Sequence, residues 1–95
     1  MARLESSIER AIVKYAKSKG VLVRKLNGEG ERGWPDRMFL YAGRVLFLEL
    51  KQPGKKPTKL QARKIEELCA NGFWAAWTDG VEDGRRKIDI LLRVD

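Results

Sequence analysis

The chain has 95 residues, 43% of them hydrophobic and 35% charged, with a formal net charge of +7. A chain of this size can bury one modest core, and its composition is globular rather than disordered. The basic balance points to a polyanionic partner, nucleic acid before a ribosomal or membrane-surface role. With no histidine and a single cysteine, it excludes a histidine-based triad, a zinc site built on histidine or cysteine, and an internal disulfide.

The N-terminus has no hydrophobic signal core, and no apolar run approaches the ~20 residues that a membrane helix needs. A soluble, intracellular (cytoplasmic) protein without membrane contact is expected. No repeat, low-complexity tract or linker divides the chain, so residues 1–95 read as one domain. Leu4 to Lys19 reads as the first helix, because Leu4, Ile8, Ala11, Ile12, Tyr15 and Ala16 form an apolar stripe. Gly20 is a fitting stop. Glu9 lies beside that stripe and has two readings. Ser6-Ser-Ile-Glu9 fits a capping box, in which Glu9 bonds a backbone donor; otherwise its carboxylate is free for a site elsewhere.

Val21 to Leu26 reads as the first strand, followed by a polar, glycine-rich loop to Gly33. Glu29 and Glu31 in that loop are either extra metal ligands or loop solubility. Arg32 can meet a phosphate, and Trp34 can stack on an unpaired base or pack under the loop. Asp36 follows Pro35, which fixes φ and removes a donor. Two β-rich runs then meet at Gly43, a hairpin signal. Along the second run Leu46, Leu48 and Leu50 face a core, while Glu49 and Lys51 share the other face. With the turn near Gly43, Asp36 and Glu49 fall almost level. Two carboxylates and an ammonium on one side of a sheet are either a solvated strand face or a site for a hard divalent cation, Mg²⁺ or Mn²⁺, acting on a phosphodiester.

Gln52 to Pro57 is a basic loop in which Lys55 and Lys56 can touch phosphates. Thr58 reads as the N-cap of a helix from Lys59 to Asn71, with Leu60, Ile65, Leu68 and Cys69 facing the core and Cys69 a buried thiol. Gln61 shares the inward face and needs a polar partner, or is a helix-end glutamine bonded to backbone. Lys59, Arg63 and Lys64 give a basic outer side usable for DNA. Phe73 to Thr78 reads as a strand, and Trp74 and Trp77 as core or subunit-contact residues. Val81 to Val94 fits strand alternation and helical spacing alike, and Gly84 weakens the helix by ~1 kcal/mol relative to alanine.

Gly33-Trp34-Pro35-Asp36, then Phe47-Leu-Glu49-Leu-Lys51, then Thr58-Lys-Leu-Gln61 resemble the motifs of the VRR-NUC domain, within the PD-(D/E)XK nuclease superfamily. The resemblance spans nearly the whole chain. It implies a restriction-endonuclease-like αβββαβ core, a mixed sheet flanked by helices, with a terminal helix from Val81. It implies a metal-dependent DNA endonuclease in which Asp36, Glu49 and the Leu50 carbonyl hold Mg²⁺ or Mn²⁺. Glu9 would reach the metal directly or through water, Lys51 would position water or phosphate, and Gln61 would point at Lys51 or the scissile phosphate. Stand-alone members resemble Holliday-junction resolvases, so a homodimer cutting branched DNA in phage replication and repair is expected. Nicking, flap cutting, general DNA degradation or non-catalytic DNA binding are the alternatives.

Overall fold

The third strand, β3 (Arg44–Leu50), is the buried centre of the molecule. Leu46, Leu48 and Leu50 are fully buried on one face, and Phe47 and Glu49 are buried on the other. Its near-continuous apolar run is what a strand covered on both sides requires. The computed structural model describes residues 4–26 and 32–93; Glu29 and Glu31 lie outside them. Among the described residues no helix is long and apolar enough to cross a membrane.

Against β3 runs β2 (Arg37–Tyr41), antiparallel and in register from Arg37 opposite Leu48 to Tyr41 opposite Arg44. The connecting pair, Ala42 and Gly43, has φ of 51° and 80°. A two-residue hairpin of the primed type needs both values positive. Glycine takes that conformation freely, whereas the Cβ of Ala42 makes it cost about 1 kcal/mol. The short strand β1 (Leu22–Lys25) pairs with the outer side of β2, antiparallel. On the far side β4 (Trp74–Thr78) lies parallel to β3, which completes a mixed sheet in the order β1-β2-β3-β4. A parallel neighbour requires a crossover, and α2 (Lys59–Ala70) supplies it.

Two helices, α1 (Leu4–Ser18) and α3 (Val81–Leu92), bury Ile8, Ile12, Ile88 and Leu91 against the leucine face of β3. On the opposite face Leu68 of α2 packs with Phe47 and Ala75. The C-terminal segment takes the helical period: Ile88 and Leu91 are buried, while Ile90 is 41% exposed. Alternation would have buried Ile90 together with Ile88. Two expectations for α2 are corrected, since Leu60 is 45% exposed and Cys69 is exposed rather than buried. The helix is narrower in its contact than its apolar residues suggest, and only Leu68 is fully covered. Phe73 stands just outside β4 and is also largely exposed.

Gly84 explains how α3 approaches α1. A Cβ built on it would overlap Ile12 Cδ1 and stand 2.7 Å from Ile12 Cγ1. The second atom is not a freely moving tip, so overpacking outweighs the ~1 kcal/mol of helix propensity that alanine brings. Gly84→Ala is expected to destabilise the fold by about 1–2 kcal/mol net in denaturant titrations. In an Ile12→Ala background the same change should cost much less, and additive costs in the double-mutant cycle would exclude the contact as the cause.

Candidate active site

The hairpin register fixes the first pair of site residues. Arg37 stands opposite Leu48, so one step further out Asp36 falls level with Glu49. Asp36 is held twice at this position. Its backbone carbonyl accepts a hydrogen bond from Leu26 N at 2.9 Å, and its Oδ2 accepts one from Leu50 N, also at 2.9 Å. Pro35, fully buried just before it, fixes the chain's entry. The carboxylate of Asp36 therefore lies against the peptide that follows Glu49.

Glu49 is only 2% exposed. It projects on the α2 side of the sheet, with Trp77 level with it on β4. Lys51 lies on the same side, its Nζ 3.4 Å from Glu49 Oε2. The Lys51 backbone amide donates to Thr78 O at 2.9 Å, which carries the parallel pairing one residue past the end of β3. A carboxylate this far from water is costly unless cations stand beside it.

Burial pushes the Asp36 carboxyl above the usual aspartate range; the Leu50 amide opposes this, the charge of Glu9 adds to it, and Lys51 and Arg37 pull it back. Asp36 thus feels Glu9, Lys51 and Arg37 together, and these groups form one electrostatic cluster at this end of the sheet.

Glu9 does not act as a capping residue, because α1 already runs from Leu4. Its Oε2 accepts a hydrogen bond from Arg37 Nε. Arg37 escaped notice in the sequence although strand alternation could have found it. Asp36 and Arg37 are neighbours on an extended chain, so Asp36 faces α2 while Arg37 faces α1. Gln61 closes a capping box at the start of α2: its Oε1 accepts from Thr58 N at 2.9 Å, and its own N–H donates to Thr58 Oγ1 at 3.2 Å. Backbone bonding at the helix end is the arrangement adopted, and it leaves the Gln61 side-chain nitrogen as the group able to reach elsewhere.

Arg32, Lys55, Lys56, Lys59 and Arg63 are all exposed. The loop bearing Lys55 and Lys56 is tied down by Gly54 N donating to Asp79 Oδ2 at 3.0 Å. Trp34 packs edge-on to Phe47, ring centres 6.1 Å apart. Lys64, expected on the outer side of α2, instead folds over Trp34 at 4.9 Å from the ring and pairs with Glu67 at 2.7 Å.

Among the described residues no three Asp, Glu, Cys or His side chains come together as a metal cluster. The donors that the hairpin brings level are two carboxylates, Asp36 and Glu49. This all-oxygen set fits Mg²⁺ or Mn²⁺, which accept one or two carboxylates and complete their shell with water and substrate phosphate. It does not fit zinc.

The raised Asp36 pKa has a signed consequence. A carboxyl whose folded pKa exceeds its unfolded value stabilises the fold below the unfolded value, and that contribution is lost as pH rises through the folded one. Without divalent metal, Asp36→Asn should therefore melt higher than the parent at pH 7. The gap should shrink on acidification toward the ordinary aspartate range. A pH-independent gap in thermal melts would count against burial as the cause.

No family model matches the sequence. A protein described as "Putative nuclease p44", from Acyrthosiphon pisum secondary endosymbiont phage 1, is 41% identical over 69 residues, which cover 72% of this chain and 74% of that one. A solved structure described as "VRR_NUC domain" superposes with a TM-score of 0.81 at 28% identity, over 90% of this chain and 94% of the other. Another, a "VRR_NUC domain protein", reaches 0.76 over 90% of this chain and 84% of its own, at 19% identity, a likeness of fold alone. On this relative, this fold and the paired acids beside Lys51, the chain belongs to the VRR-NUC nuclease family.

Proposed function

We propose that residues 1–95 act as one metal-dependent, structure-selective DNA endonuclease domain, a Holliday-junction resolvase-like enzyme of phage replication and repair working in the host cytoplasm. The observation that carries this reading is the hydrogen bond from Leu50 N to Asp36 Oδ2, which brings one carboxylate to the strand end where Glu49 and Lys51 stand. Asp36, Glu49 and the Leu50 carbonyl would hold Mg²⁺ or Mn²⁺, with Glu9 reaching it directly or through water. Such an ion supplies a Lewis acid and lowers the pKa of water near phosphorus.

The chain's own groups do the rest. Lys51 Nζ orients the attacking water and offsets the extra negative charge that the phosphoryl oxygens gain in the transition state. Burial around Glu49 strengthens that interaction by excluding bulk water. The side-chain nitrogen of Gln61 donates to a phosphate oxygen. Water adds to phosphorus in line as the P–O bond on the far side breaks, leaving a phosphate monoester and a free hydroxyl. Arg32, Lys55, Lys56, Lys59 and Arg63 contact the backbone of the DNA, and Trp34 borders it.

Two copies related by a twofold axis would address opposed strands of a junction. The half-exposed Phe73 and Ile90 near Trp74 offer apolar surface for such pairing.

With Mg²⁺ or Mn²⁺, the parent should cut a labelled four-way junction in preference to the matching linear duplex. Asp36→Asn and Lys51→Ala should each lose at least about 10²-fold in rate while still binding DNA. Equal cutting of junction and duplex would remove the resolvase specificity and leave a general or nicking nuclease. Absence of cutting in any divalent metal, with binding intact, would leave a DNA-binding module.

A further inference from the structure

The cations assigned so far to the substrate lie on the α2 side and in the loops beside it. A different basic surface lies across the sheet. A cavity of about 520 Å³ opens between the flank of α1 and the start of β2, lined by Glu9, Arg10, Val13, Lys14, Lys17 and Arg37. Four of these six side chains are cationic. The one carboxylate, Glu9, is already taken by Arg37. Arg10, Lys14 and Lys17 have no ion-pair partner among the described residues. They recur at four and three along α1, so they form one row about 10.5 Å long. Like charges so spaced on a helix repel one another. An anion lying along the row would relieve that repulsion, and Val13 gives the cavity an apolar wall.

The position of the row decides which anion fits. Arg37 follows Asp36 in the chain and lines the cavity together with Glu9. The cavity therefore begins one residue from Asp36, on the opposite face of the sheet from Glu49 and Lys51. A sugar–phosphate backbone leaving the scissile bond toward α1 would meet Arg37 first and then the row of the helix. A lone anion would use one end of the row, whereas a polyanion with regularly spaced phosphates uses its length.

Resting on the nuclease reading above, we infer that the α1 flank is a second substrate-binding surface, on which Arg10, Lys14 and Lys17 hold about two or three consecutive phosphates of the DNA strand flanking the cut. Val13 and Arg37 form its floor and its entrance. The surface grips the sugar–phosphate backbone, so it adds affinity and orientation rather than base preference.

Binding can be read without cutting in an Asp36→Asn background, by fluorescence anisotropy of a labelled four-way junction over a range of salt concentrations. Adding Lys14→Ala and Lys17→Ala should weaken binding roughly tenfold or more near physiological salt. It should also lower the slope of log K against log salt by about 0.9 for each phosphate left without its cation. Alanine favours helix, so α1 should keep its fold, and thermal melts of both proteins check this. A matched removal of two charges, Arg86→Ala with Arg93→Ala, controls for net charge and should leave the slope nearly unchanged. An unchanged slope in the α1 variant, or an equal fall in the control, would overturn the assignment. Cutting by the parent protein is scored separately, so loss of the nuclease reading and loss of the α1 surface give different results.

Discussion

One hydrogen bond organises this end of the molecule, that from the Leu50 amide to the Asp36 carboxylate. It lies beyond the last paired residues of the β2–β3 ladder, where two strands would otherwise splay. A charge-assisted bond of this kind is stronger than an ordinary backbone rung. It fixes the side chain of Asp36 against the chain segment that carries Glu49 and Lys51. The same segment is bound on its other side through Lys51 N to Thr78 O. Three strands thus meet at one point, and the polar groups there have little freedom to drift apart.

The cost of that arrangement is electrostatic. Glu49 is nearly inaccessible, and burial holds the Asp36 carboxyl above its usual range. Local rules are broken here while the surrounding strands obey them, a pattern found where stability has been given up for chemistry. Lys51 and Arg37 reduce the penalty from opposite faces of the sheet. Because Arg37 also binds Glu9, the start of β2 and α1 share one charge network.

Much of this was legible in the sequence because it depends on short-range geometry. Strand alternation placed the three leucines of β3 inward, and the glycine turn set the level of Asp36 and Glu49. The capping signal at Thr58 gave the start of α2. Contacts between distant segments were less legible. The pairing of Glu9 with Arg37 spans 28 positions, and the local residues favoured a capping box instead. Leu60 and Cys69 sit at apolar positions of an amphipathic helix, yet a short crossover helix presents only a narrow stripe to the sheet. The final segment carried both periods at once, and packing against α1 selected the helix.

The closeness of α1 and α3 at Ile12 and Gly84 bears on more than packing. Ile12 follows Glu9 by three residues, close to one turn along α1. The separation of the two helices therefore sets where α1 lies across the sheet, and with it the position of the Glu9 carboxylate. A residue with no functional group, on the last helix of the chain, acts as a spacer that tunes the position of an acid belonging to the first.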